Sequence, residues 1–378
     1  MTVKTNTATL ETVLIKGLHR DGSSEVVNPI HVSTTFRRNA DGSYPDGRAY
    51  SRPSNPTYDE PEQLLAELEG GQEALLFSSG MAAATTLLQS LKPRSRVVFP
   101  RRMYWALRKW VLQFAENWEI EVAFYDNADP ADLADQLQGG CDLLWVETPA
   151  NPTMEITDIR AAAALAHKSG ARVVVDSTVA TPVQTRPLAL GADIVLHSAS
   201  KYLNGHSDVI AGALVTARKD AYWSQIKNLR ALSGNILGPF EAWLLSRGMK
   251  TLFVRVRTSS ASALWLSQQL STHPAVEVLY PGLPSHPQHE VARKQLNDGF
   301  GGLLSIRIKQ GEAAAIATTN KVRLFKQATS LGGVESLIEH RASVEGPGSL
   351  CPTDLIRLSL GLETREDLLN DLLQALPA

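Results

Sequence analysis

The chain is poor in the features that mark a secreted, membrane or nucleic-acid-binding protein. Two cysteines, Cys141 and Cys351, stand in 378 residues without CxxC spacing, which suits a reducing compartment rather than a disulfide framework. The opening "MTVKTNTATLETVLIKG" has no long apolar core, and no run nears the ~20 residues of a membrane span. A soluble cytoplasmic protein is the expectation. Lys and Arg (37) nearly balance Asp and Glu (39), so no global field draws the chain to nucleic acid or lipid. Neither GxGxxG after a strand nor GxxxxGK[ST] occurs, so the dinucleotide and P-loop readings lack their signatures. No internal repeat or low-complexity tract is visible.

What is present is an ordinary globular composition, 43% hydrophobic and 20% charged, in a chain long enough for two domains. Residues 20–60 are rich in Gly, Pro, Ser and Asn and read as an irregular arm. Beyond Glu60, short apolar stretches alternate with helical ones. "EALLF" leads into a helix opening near Gly80; "RVVFP", "IEVAFYD", "CDLLWVET", "ARVVVDST" and "ADIVLHSAS" follow, separated by patterns such as "DIRAAAALAHKSG". Strands this uniformly apolar predict a parallel sheet covered on both faces. After Gly212, "PFEAWLLSRGMKTLFVRVRTSSASALWLSQQLSTH" predicts one long helical segment. Past Pro274 the strands alternate. Leu304, Ile306 and Ile308 share a side, as do Ile356, Leu358 and Leu360, with Arg357 opposite. A smaller α+β domain is expected there.

Ligands of parallel α/β sheets gather outside the carboxyl ends of the strands. Three features fall at such ends. Ser78, Ser79 and Gly80 sit where a strand hands over to a helix, whose free N–H groups favour a phosphate or merely a cap. Asp176 closes "RVVVD" and either caps a turn or faces a cation. Lys201 follows "DIVL" beside Ser198 and Ser200; burial would make its amine a nucleophile for carbonyls. A phosphate cradle, an acid for a pyridinium nitrogen and an imine-forming lysine are together what pyridoxal phosphate (PLP) requires.

The ordered segments "YSRPSNPT", "FSSGMAA", "ETPANPT", "VVVDSTVATP", "HSASKYLNGHSDVIAG", "YPGLPSHPQH", "SLGGVESLIEH" and "LIRLSLGLE" run nearly end to end. On them the chain resembles the PLP-dependent Cys/Met-metabolism (trans-sulfuration) enzymes, the cystathionine γ-synthases, γ-lyases and β-lyases and the methionine γ-lyases. The resemblance implies a fold type I PLP-dependent transferase: an N-terminal arm over 1–54, a PLP-binding domain over 55–250 and a C-terminal α+β domain over 251–378. It makes Lys201 the Schiff-base lysine and proton carrier, and Asp176 the partner of the pyridine nitrogen. Ser79, Gly80, Met81, Ser198 and Ser200 would hold the phosphate. Tyr50 and Arg52 would reach the phosphate of a neighbouring subunit, so a catalytic dimer within a homotetramer is implied. Tyr104 would stack on the ring and assist the leaving group. Arg357, with Asn151 and Ser330 nearby, would fork the substrate carboxylate. Ala49 and Thr329 occupy positions tied to side-chain selectivity; neither is the acidic residue expected where the distal amino group of cystathionine is held.

The implied activity is γ-elimination or γ-replacement on an L-amino acid with a γ-leaving group. The alternatives are C–S β-elimination of the cystathionine β-lyase type, aminotransfer, or a catalytically silent PLP-binding protein. No metal is expected: His286 and His289 lack a carboxylate or cysteine at ligand spacing. His197 and His206 are expected to orient the lysine loop. Departures from the family pattern cluster at the rim. Trp105 follows Tyr104 inside the basic "PRRMYWALRK", expected to be a solvated edge; "HPAS" becomes "HRAS" with Arg341; and the stretch before Arg357 is short.

Overall fold

The structure is a computed structural model describing residues 8–17 and 24–377. The expected arm over 1–54 falls partly on residues 1–7 and 18–23, outside the described residues. Within it, helix Leu10–Lys16 is capped by the Thr9 side chain. This helix buries Val13 and Leu14 in the same cluster as Leu64, Leu65 and Met249. Residues 24–54 are mostly exposed, held by a bridge between Thr35 and Tyr50.

Seven strands form the large sheet: β1 (Glu73–Phe77), β2 (Arg96–Pro100), β3 (Glu121–Tyr125), β4 (Leu143–Glu147), β5 (Arg172–Asp176), β6 (Ile194–His197) and β7 (Gly212–Thr216). Their order is β1-β7-β6-β5-β4-β2-β3. β7 runs antiparallel to both neighbours and the other pairings are parallel. The all-apolar strands earn their composition through double coverage. Val97, Phe99, Leu143, Trp145 and Val174 pack on one face with helices Gly80–Gln89 and Trp105–Trp118. Val98, Leu144, Val146, Val173 and Val175 pack on the other, with helices Pro130–Gln138 and Ile159–Lys168. The period-2 alternation thus buries both sides.

The second sheet holds β8 (Val276–Leu279), β9 (Leu303–Ile308), β10 (Lys326–Gln327), β11 (Leu337–His340) and β12 (Leu355–Ser359), in the order β10-β11-β12-β9-β8. Leu304, Ile306, Ile308, Ile356, Leu358 and Leu360 fill one cluster with helices Leu252–Leu270 and Arg365–Ala375. That leaves Arg357 on the other face, as the alternation predicts.

The long helical segment expected after Gly212 is two helices, Pro239–Met249 and Leu252–Leu270. A side chain explains the break. Arg255 donates to the Gly248 carbonyl at 2.8 Å, to Thr251 Oγ1 at 2.9 Å and to the Tyr202 carbonyl at 2.7 Å. It satisfies carbonyls that a continuous helix would have used and ties the corner to the lysine loop. Gly248 is required there, because a Cβ would lie 2.3 Å from the Asn204 carbonyl oxygen.

Candidate active site

β2 and β4 lie side by side and parallel, but the chain goes on from β2 to β3 on one side and from β4 to β5 on the other, and a cavity of about 680 Å³ opens outside the carboxyl ends nearby. It is lined by the start of helix Gly80–Gln89, by Tyr104, Glu147, Asn151, Asp176, Ser198 and Lys201, and from the smaller sheet's side by Thr329, Ser330, Arg341 and Arg357.

At one end the cavity meets a helix start. Ser79 Oγ caps that helix by accepting from the Ala82 N–H at 2.9 Å. Gly80 and Met81, in the first turn, are left without intrahelical acceptors. A Cβ on Gly80 would stand 2.9 Å from both Cβ and Oγ of Ser198, so the close approach of these two segments needs glycine. Ser198 is itself held by its N–H on Thr178 Oγ1 at 2.8 Å. Ser200 Oγ is engaged with Ala211, donating to its carbonyl at 3.1 Å and accepting from its N–H at 2.9 Å.

Glu147 and Asp176 are register partners at the ends of β4 and β5, which sets two carboxylates side by side. Burial pushes both well up from the usual carboxylate range, and the Asp176 charge pushes Glu147 further. Glu147 accepts from the Tyr104 N–H at 2.8 Å and the Asn151 N–H at 3.2 Å. Asp176 accepts from the Thr178 N–H at 3.0 Å and from the Thr178 side chain, and among the described residues it has no ion-pair partner. It is a carboxylate short of a cation.

On the opposite wall the Lys201 amine donates to Ser330 Oγ at 2.6 Å. Burial, then the Arg357 charge, bring Lys201 down to about 8. Ser330 itself adopts φ 96°, a left-handed conformation unusual for serine. Its carbonyl accepts from Arg357 Nη2 at 2.7 Å, while Arg357 Nη1 donates to Asn151 Oδ1 at 3.1 Å. Arg357 also pairs with the buried Glu339 at 2.8 Å.

The Cys/Met metabolism PLP-dependent enzyme model matches residues 11–377. The chain belongs to that family. It is 43% identical over 368 residues to the cystathionine γ-synthase of Mycobacterium tuberculosis (strain H37Rv), covering 95% of this chain and 94% of that protein. It is 40% identical over 375 residues to the cystathionine γ-lyase of Saccharomyces cerevisiae, covering 95% of each. Cystathionine γ-synthase from Xanthomonas oryzae pv. oryzae, solved in complex with cystathionine, superposes with a TM-score of 0.93 at 36% identity, covering 98% of both chains.

Members of this family are PLP-dependent enzymes, and the residues here fit that cofactor. The glycine-dependent cradle of Gly80 and Ser198 suits a phosphate. Asp176, which lacks a cation, suits a protonated ring nitrogen. Lys201, whose amine is partly neutral near pH 8, suits an imine link.

Most residues singled out from the sequence meet in this cavity: Ser79, Gly80, Met81, Tyr104, Asn151, Asp176, Ser198, Ser200, Lys201, Thr329, Ser330 and Arg357 all line it. Ala49, Tyr50 and Arg52 do not. They lie on the exposed arm, where Arg52 stands 5.8 Å from the Tyr50 ring centroid and donates to the Leu232 carbonyl at 3.3 Å. His197 is buried against Glu69 at 2.6 Å, and His206 bonds the Asn204 carbonyl at 2.7 Å within the lysine loop. His289 bonds the Pro281 carbonyl, and burial lowers His286 to about 4. Among the described residues no three His, Cys, Asp or Glu side chains are grouped to hold a metal.

The basic "PRRMYWALRK" lines a second cavity of about 340 Å³ that shares Trp105 and Asn151 with the first. Sequence reading passed over Glu147, although the signal that singled out Asp176, an acid closing an apolar strand, stands there too. Glu339 gave no signal of its own. Only the pairing of β11 with β12 brings it opposite Arg357.

Proposed function

We propose that the protein catalyses γ-elimination or γ-replacement on an L-amino acid bearing a γ-leaving group. The observation that carries this reading is the single cavity in which a lysine lowered to about 8 is bonded to Ser330, whose carbonyl holds Arg357. Lysine and arginine are thereby set on either side of one residue. The 36–43% identity to γ-synthases and a γ-lyase over nearly the whole chain supports the same chemistry.

PLP, when bound, supplies the electron sink for carbanions at Cα and Cβ. Arg357, with Asn151, holds the substrate carboxylate in a fork and so fixes where Cα lies. Lys201 takes the Cα proton in its neutral form and moves the protons at Cβ. Tyr104, held by its backbone on Glu147, assists departure of the γ-substituent. A thiol or water then completes the reaction.

The reading extends to assembly and compartment. Ala49, Tyr50 and Arg52 stand clear of their own chain's cavity, which supports service to a neighbouring subunit's site in a homotetramer. The cysteines are unpaired, supporting a cytoplasmic setting.

A panel of O-succinylhomoserine, O-acetylhomoserine, cystathionine, methionine, homocysteine and canavanine tests the proposal. Release of 2-oxobutanoate, homoserine or a thioether product is expected from at least one. Pyruvate alone would point to β-elimination, and amino transfer to 2-oxoglutarate without ammonia would point to an aminotransferase.

A further inference from the structure

Arg341 opens a short helix directly after β11, in the segment "HRAS". It is 4% exposed and lines the main cavity. Its Nη1 donates to Glu339 Oε2 at 2.6 Å and its Nη2 to Glu345 Oε1 at 2.9 Å. Arg357 Nη2 donates to the same Glu339 Oε2 at 2.8 Å. Glu339 Oε1 is buried without a partner, so both guanidiniums draw on one oxygen. Glu345 lies on the same short helix as Arg341, Arg341–Glu345, and lines the second cavity. The result is a row of alternating charge, Arg357, Glu339, Arg341, Glu345, of which the first three are buried and Glu345 is partly exposed.

We propose that Arg341 is a positioning residue that acts through Glu339 to keep Arg357 available to the substrate carboxylate. This rests on the reading of Arg357 as the carboxylate-binding arginine. A buried anion beside that arginine competes with the substrate for its charge. Arg341 takes part of the Glu339 charge, which leaves Arg357 with a positive field toward the cavity. Glu345 works in the opposite sense, because it neutralises Arg341 from the far side. Burial is the main cause that brings Arg357 down to about 10; after it the Arg341 cation opposes protonation and Glu339 favours it. The two residues therefore have opposite effects on a carboxylate at Arg357, although they form a single ion pair.

The opposition makes the test. Binding of L-alanine to the PLP-loaded protein is measured through the change it causes in visible absorbance. n-Propylamine, which lacks the carboxylate, is the control ligand. Arg341→Met should weaken L-alanine roughly tenfold more than n-propylamine, whose response reports the smaller effect of the Arg341 charge on Lys201. Glu345→Gln should tighten L-alanine, and Arg341→Lys should fall between Arg341→Met and the parent. Adding Glu339→Gln to Arg341→Met should recover affinity, because the competing anion is gone.

A merely structural role for the ion pair predicts that Arg341→Met and Glu345→Gln weaken both ligands alike, which would overturn the proposal. So would unchanged L-alanine affinity in Arg341→Met and Arg341→Lys. Arg357→Met separates the two levels. If it leaves L-alanine binding intact, the carboxylate reading itself fails. If it weakens L-alanine while Arg341→Met does not, only the role of Arg341 falls.

Discussion

The Lys201 amine donates to the Ser330 hydroxyl at 2.6 Å, and the carbonyl of that same serine accepts from Arg357 at 2.7 Å. The residue proposed to move protons and the residue proposed to hold the substrate therefore share one anchor, strained to φ 96°. A small shift of Ser330 moves both.

Proton abstraction needs the neutral amine of Lys201. Burial and the Arg357 charge favour that form and bring the lysine to about 8. The neutral fraction grows as pH rises through that value, so kcat at saturating substrate should climb to a plateau above it. A free, solvated lysine would place the limb near ~10.4. Lys201→Ala should remove the visible band of the lysine-linked cofactor and cut turnover roughly 10²–10⁴-fold.

Glu147 accepts from two backbone N–H groups, those of Tyr104 and Asn151. Glu147→Leu leaves both without an acceptor, at a cost of about 1–3 kcal/mol each. Glu147→Gln keeps one carbonyl oxygen and should lose less. Denaturant unfolding of the two variants should rank them in that order, with kcat falling in parallel as Tyr104 loses its support.

Gly80→Ala drives a methyl group to within 2.9 Å of Ser198. The segments must part, which should weaken PLP roughly tenfold in equilibrium dialysis. Ser198→Gly in the same chain removes the obstructing side chain. It should relieve the two side-chain contacts but not the Ser198 Cα, which stays 3.0 Å from the methyl, and the hydroxyl is lost, giving partial rescue.

Arg52→Ala and Lys201→Ala chains should each have strongly reduced turnover as pure assemblies. If Arg52 serves a neighbouring site, mixed assemblies contain some sites with both native residues, and co-expression should restore part of the turnover. Mixtures that gain no turnover would assign Arg52 to its own subunit.

Much of the framework was legible because it rests on local pattern. The runs "LLWVE" and "RVVVD" are apolar enough to demand cover on both faces, and they have it. The alternation in "LIRLSL" placed Arg357 opposite Ile356 and Leu358 before any contact was known. The corner between Met249 and Leu252 was not legible. It depends on Arg255 reaching carbonyls of Gly248 and Tyr202, and no periodicity carries that information. Glu147 is legible as an acid closing an apolar strand, but its two acceptor bonds are not, because they come from loops that fold back on the strand end.

The sequence by itself determined the layers, the strand ends and the ordered motifs of the family, because hydrophobic periodicity and chain direction act over a few residues at a time. Only the tertiary structure decided which charges face one another. Glu147 meets Asp176 through the β4–β5 register, and Glu339 meets Arg357 through β11–β12. Arg341 and Arg357 then compete for one carboxylate oxygen. Electrostatic interaction depends on distance and burial, and neither is written in the spacing of residues along the chain.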